Sequence, residues 1–184
     1  MFLPQNYEVP KSDGKYLKLE KGQNRFRVVS SAVVGYEYWT DKNKPVRLKT
    51  IPKISPEDMR EDSKIKHFWA FVVIDRKDGQ IKIAEITQSS IMQAVEPLLV
   101  SEEWGDPKGY DITISRTGDK LDTEYTVQPS PHKELTAEEK TLASETPVNL
   151  EALFSGDNPF DKTGKQDEIV DIPEEDIKSE DINF

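Results

Sequence analysis

The 184-residue chain is 35% hydrophobic and 33% charged, with no cysteine and a formal net charge of −10. That composition excludes disulfides and thiolate metal centres, and it is too polar for every part of the chain to enter a core. The opening stretch, MFLPQNYEVPKSDGKY, has no basic start followed by a long apolar run, and no segment reaches the ~18 apolar residues of a membrane span, so a cytoplasmic protein with no membrane partner is expected.

Residues 1–13 read as an irregular lead-in, broken by Pro4 and Pro10. Tyr16, Leu17 and Leu19 suggest a short strand, and Gly22 begins a turn. Residues 25–39 form a β-branched, aromatic stretch in which Arg25 and Arg27 alternate with Phe26 and Val28. This period of two predicts one long half-buried strand, bent at the small residues Ser30, Ser31, Ala32 and Gly35. Residues 40–64 hold three prolines and scattered charge and read as a long loop, with a short hairpin around 41–44. IKHFWAFVVIDR is a strand, KDGQ supplies an Asp-Gly turn, and IKIAEIT returns.

In QSSIMQAVEPLLV the period changes, with Ile91, Val95 and Leu98 or Leu99 at helical spacing. Thr87, Ser89 and Ser90 could each cap this helix, and Pro97 should kink or divide it. A second hairpin follows, YDITISR and LDTEYTVQP around a tight turn at TGDK. Past Pro131, ELTAEEKTLASE suits a short helix and NLEALF a last apolar hook. From Ser155 onward the composition cannot build a core. The expected architecture is therefore mostly β: a five-stranded OB-fold barrel with one helix and extended hairpin and loop insertions. It would span 14–131, followed by a helical or linking segment over 132–155 and a disordered acidic tail over 156–184.

Charge points to function. Residues 1–130 hold 20 Lys+Arg and 20 Asp+Glu, and residues 131–184 hold 5 and 15, so the whole excess of −10 is C-terminal. Residues 11–53 hold 11 basic and 4 acidic groups, a local +7. A basic front suits a nucleic-acid surface, and an acidic back suits a tail that meets something else. Single strands are held by cations on phosphates and aromatic faces on bases. Tyr36, Tyr38, Trp39, Phe68 and Trp69, interleaved with Lys42, Lys44, Arg47, Lys49, Lys64 and Lys66, form the candidate DNA-binding set. Trp39 is the foremost aromatic, because it ends a strand where a charged loop begins. Phe68, Trp69 and Phe71 are adjacent enough that alternation must send some of them into the core.

His67 and His132 are the only histidines, and no zinc, calcium, phosphate-loop or nucleophile-elbow spacing is present, so neither enzyme activity nor a cofactor or metal is expected. Two other classes fit the same features: an OB-fold adaptor or recombination mediator without DNA affinity of its own, and an acidic mimic of DNA.

GQNRFRVVSSAVVGYEYW, KPVR, KHFWAFVVIDR, IKIAEITQSSIMQAV and WGDPKGYDITISRTGDKLDTEYTVQP, in that order over about residues 14–131, resemble the single-stranded DNA-binding proteins of tailed phages and prophages. The resemblance implies an OB-fold, sequence-tolerant binding of single-stranded DNA during replication and recombination, and an acidic C-terminal tail. The closing Asp181-Ile182-Asn183-Phe184 is similar to the Asp-Ile-Pro-Phe ending of the bacterial proteins, with Asn183 in the proline's place. It implies docking of replication or recombination proteins on those four residues. GDNPF at 156–160 repeats the acid-Pro-Phe pattern, as a second docking point would, but reads better as a turn that pins the chain ahead of the tail.

Overall fold

A computed structural model describes residues 14–162. Seven strands form one antiparallel sheet: β1 (Gly22–Val28), β2 (Val33–Trp39), β3 (Pro45–Leu48), β4 (Lys66–Asp75), β5 (Ile81–Ile86), β6 (Asp111–Thr117) and β7 (Glu124–Pro129). Helix α1 (Ser89–Val100) lies between β5 and β6, and α2 (Ala137–Glu145) and α3 (Ala152–Ser155) follow the last strand. The sheet runs β3-β2-β4-β1-β6-β7, with β5 on the other edge of β4. This corrects the expected five strands and single helix, and the barrel is not closed. Among the described residues β5 and β7 do not pair, so the sheet curls without sealing.

Two local choices explain the added strands. The stretch 25–39 is not one bent strand. It breaks at 29–32, where Val29 N donates to Val72 O at 2.9 Å and Val72 N donates to Ser30 Oγ at 2.8 Å. The serine hydroxyl takes over a ladder bond and lets the chain turn. On the ten-residue β4, β1 therefore pairs with 73–75 and β2 with 66–70. The other choice is at 40–44, where Thr40 N donates to Lys44 O at 2.9 Å and closes a hairpin that makes Pro45–Leu48 a strand. The early segment is not a strand either: it meets β5 through an isolated parallel bridge between Tyr16 and Ile83.

Alternation along the strands gives the sheet two apolar faces. The concave face carries Phe26, Val28, Val73, Ala84, Ile86, Ile112 and Ile114, capped by Ile91 of α1. The outer face carries Phe68, Ala70, Val72, Ile74, Ile81 and Ile83 and is covered by Leu150 and Leu153, with Leu142, Phe154 and Phe160 beside them. α1 runs through Pro97 unbroken, and its N-cap is Gln88, whose side chain makes no capping bond. α2 begins with a reciprocal capping box between Thr136 and Glu139. The segment 146–160 owes its place to burial: α3 is four residues long, too short to hold itself, and Leu150, Ala152 and Leu153 are all buried. Residues 156–162 also lie on the body, since Asn149 N donates to Pro159 O at 2.8 Å and Lys15 Nζ sits 5.3 Å from the Phe160 ring centre.

Candidate nucleic-acid interface

Trp39 stands at the end of β2 with 40% of its surface exposed. The long loop after β3 returns across it. Trp39 N donates to Ser63 Oγ at 3.0 Å, Arg60 N donates to Trp39 O at 2.8 Å, and Thr40 bridges Met59. Tyr38, buried on the other side of the strand, donates its hydroxyl to Asp58 at 3.0 Å and fixes the same loop from beneath. The result is a cleft of about 450 Å³ lined by Glu37, Trp39, Arg60, Asp62, Ser63, Lys64 and Lys66. Lys42 and Lys44 are exposed on the adjoining hairpin turn.

The expected residues divide into two groups. Trp39, Lys64 and Lys66 come together in the cleft, and Lys42 and Lys44 lie on the turn after β2. The other six are elsewhere or engaged. Phe68 is fully buried in the outer cluster, with the Phe154 ring 5.9 Å from its own, so it offers no face to a base. Tyr38 is buried. Trp69 turns to the concave side, where with Phe71 it lines an apolar cavity. Tyr36 is half-buried and packs on His67, ring centres 5.2 Å apart. Arg47 donates to Glu85 at 2.6 Å and meets Glu37 at 3.5 Å, and its guanidinium is largely buried. Lys49 pairs with Glu151 at 2.7 Å and lies over Phe154. Asp181, Ile182, Asn183 and Phe184 lie outside the described residues. Arg60, which also donates to Asn43 at 2.8 Å and pairs with Asp62, is the cleft residue that the sequence pattern missed. It sits in a charge-scattered loop whose return over β2 has no local signal.

Gly35, on the same face of β2 as Glu37 and Trp39, shows how tightly that face is built further along the strand. A Cβ there would come within 2.5 Å of Leu48 O and 2.8 Å of the Phe154 ring. Glu37, which lines the cleft, belongs to an acid–base–acid group with Arg47 and Glu85. Burial pushes the Glu37 carboxyl up to about 8; the hydrogen bond and negative charge of Glu85 act in the same direction, and Arg47 opposes them. A carboxyl with an ordinary value near 4.3 when unfolded and about 8 when folded holds its proton more tightly in the folded state. Its contribution is complete below about pH 4 and is lost as pH climbs towards 8. The thermal midpoint of the protein should therefore decline more steeply between those values than that of Glu37→Gln. Parallel pH–melting curves for the two would show the Glu37 assignment to be wrong.

Among the described residues, no group of three histidine, aspartate or glutamate side chains is placed to hold a metal ion, and no helix is long and apolar enough to cross a membrane. Fold and cleft together define a mostly antiparallel β protein that presents one exposed tryptophan among cations. In sequence the chain is 24% identical, over 196 residues, to a protein of Escherichia phage T5 named "Probable ssDNA-binding protein". The alignment covers 86% of this chain and 76% of the phage T5 protein. No family model and no solved structure matches the chain.

Proposed function

We propose that this protein binds single-stranded DNA with little base preference, through the cleft at Trp39, and that it acts in phage DNA replication or recombination. The observation that carries the reading is Trp39 itself: a large aromatic face left partly in water, held by backbone bonds on both sides and flanked by Lys64 and Lys66, with Arg60 paired to Asp62 beside it. A flat apolar face for a base, with cations for the flanking phosphates, is what sequence-tolerant single-strand binding requires. The similarity to the phage T5 protein supports the same class. Strand order supports an opened OB plan, in which the broken β1–β2 stands for the first strand, β4, β5, β6 and β7 follow, α1 falls between the third and fourth, and β3 is added.

Trp39→Ala should weaken binding by about 1–3 kcal/mol while leaving the melting midpoint nearly unchanged. Loss of stability with no separate binding defect would place Trp39 in the core. Binding should also be salt-dependent. With Lys42, Lys44, Lys64 and Lys66 each on a phosphate, log affinity should fall against log salt at a slope of roughly −3, and Lys64→Ala or Lys66→Ala should each flatten it by roughly 0.7. Equal or tighter binding to duplex DNA overturns the reading.

The acidic segment 163–184 carries 2 basic and 8 acidic groups, a net −6. Tethered beside a cationic cleft, it competes with DNA at high effective concentration and recruits replication or recombination proteins. A chain ending at Lys162 keeps Phe160 and both apolar clusters, and should bind single strands more tightly than the whole chain, most clearly at low salt.

A further inference from the structure

A mainly apolar cavity among the described residues lies away from the Trp39 cleft. It has a volume of about 300 Å³ and opens on the concave side, between α1 and the break in the first strand. Its walls are mostly apolar, with Phe26, Trp69, Phe71, Ile91, Val95 and Leu99, and Ser30, Ser31 and Asp106 also line it. Leu99 is 40% exposed at its mouth, and Val100 beside it is 81% exposed. Lys108 lines the cavity and also lines a second cleft, of about 450 Å³, with Lys133, Lys140 and Glu134. Among the described residues Lys133 and Lys140 form no ion pair, and Lys108 reaches Asp106 only at 4.0 Å. A mostly apolar void that Asp106 also lines thus adjoins a patch with three lysines and Glu134, and the two share Lys108.

That juxtaposition selects an acidic peptide with interleaved aliphatic side chains. A nucleobase in the void would leave most of its polar edge without partners, which is costly in a wall that is mainly apolar. Aliphatic side chains carry no such cost, and a void of ~150 Å³ already takes up a benzene molecule. The chain contains a segment of the required chemistry. Residues 166–184 read QDEIVDIPEEDIKSEDINF, in which Ile169, Val170, Ile172, Ile177 and Ile182 alternate with acids. Its tether is long enough, since the 22 residues after Lys162 can span roughly 70 Å, far beyond the ~15 Å radius of gyration of a domain this size.

We propose that this cavity and its three lysines form a docking site for the acidic segment 163–184 of the same protein, separate from the Trp39 cleft. Seated there, the segment is withheld from the strand site; released, it competes for it. The competition rests on the single-strand reading above, whereas the docking does not.

The direct test adds a synthetic 163–184 peptide to the chain ending at Lys162 and follows intrinsic tryptophan fluorescence, to which Trp69 in the cavity wall contributes. Binding should be saturable, weaken with salt, and fall at least about tenfold in both Lys108→Glu and Val95→Trp, the latter filling the void. Leu99→Glu, at the exposed mouth, stands in if Val95→Trp melts early. Absence of saturable binding overturns the proposal. So does binding that Lys108→Glu reduces but neither cavity variant does, which is attraction without a seat. Displacement of the peptide by a short oligothymidine would mean that the two share one site, and it also overturns the proposal. In the whole chain, Lys108→Glu should lower single-strand affinity, and in the chain ending at Lys162 it should not. An equal loss in both would make Lys108 a DNA contact instead. A failure to bind DNA at all would sink the single-strand reading and leave the peptide result standing.

Discussion

Phe68→Ala should destabilise the protein by about 3–5 kcal/mol, the range for emptying a fully buried aromatic site. Phe68 has no exposed surface, and three things hold it from different parts of the chain: the Gly35 backbone, the Phe154 ring at 5.9 Å and the Arg47 guanidinium at 6.0 Å. The neighbours cannot collapse into the space, because Gly35 brings two strands and α3 to their closest approach there. Urea or thermal melting checks the stability. Single-strand affinity, measured where the variant is still folded, should be close to that of the parent. A mild loss of stability with a selective loss of DNA binding would instead make Phe68 a stacking platform and would require α3 to leave the sheet.

Asp111→Ala should cost a similar 3–5 kcal/mol, by stranding charge rather than by leaving a void. Asp111 is buried, and three arginines converge on it: Arg25 at 2.9 Å, Arg27 at 2.8 Å, and Arg76 at 3.1 Å through two nitrogens. Burial acts to raise its carboxyl, but the hydrogen bonds and charges of Arg76 and Arg27 outweigh that and hold it below its usual range. The contribution is present above about pH 4 and is lost on further acidification. The three arginines do not share the cost equally. Arg25 is about half exposed and recovers water, whereas Arg27 is 2% exposed and keeps only the Lys133 carbonyl at 2.7 Å and a long contact to Lys108 O. Arg25→Ala should therefore cost no more than about 1 kcal/mol. Pairing Asp111→Leu with Arg27→Met should restore much of what Asp111→Ala loses, since the pair can be replaced but not halved. A loss below about 1 kcal/mol for Asp111→Ala would show that water reaches Arg27.

Local pattern alone determined a good deal. The pattern marked strands at 65–76, 81–87, 110–116 and 121–129, where the fold forms them at 66–75, 81–86, 111–117 and 124–129, and the change of period over 88–100 marked α1, because these signals lie within a few neighbouring residues. The apolar hook at 149–154 and a helix within 134–145, formed over 137–145, were legible for the same reason. Trp39 stood out because a strand ends and a charged loop begins beside it. Other features depended on residues far apart in the chain, and only the tertiary structure decided them. The break at 29–32 follows from a ladder bond between Ser30 and Val72, 42 residues on. Phe68 and Trp69 look equivalent in sequence; the first faces the core because α3 arrives from residue 152 to cover its side of the sheet. Arg47 and Lys49 read as phosphate ligands until the fold brings Glu85 and Glu151 to them. Arg60 reads as loop charge until the chain folds back over β2. Composition can count cations, but a cation can serve a phosphate only if the fold leaves it unpaired and exposed, and that depends on which carboxylates the tertiary contacts bring within about 4 Å.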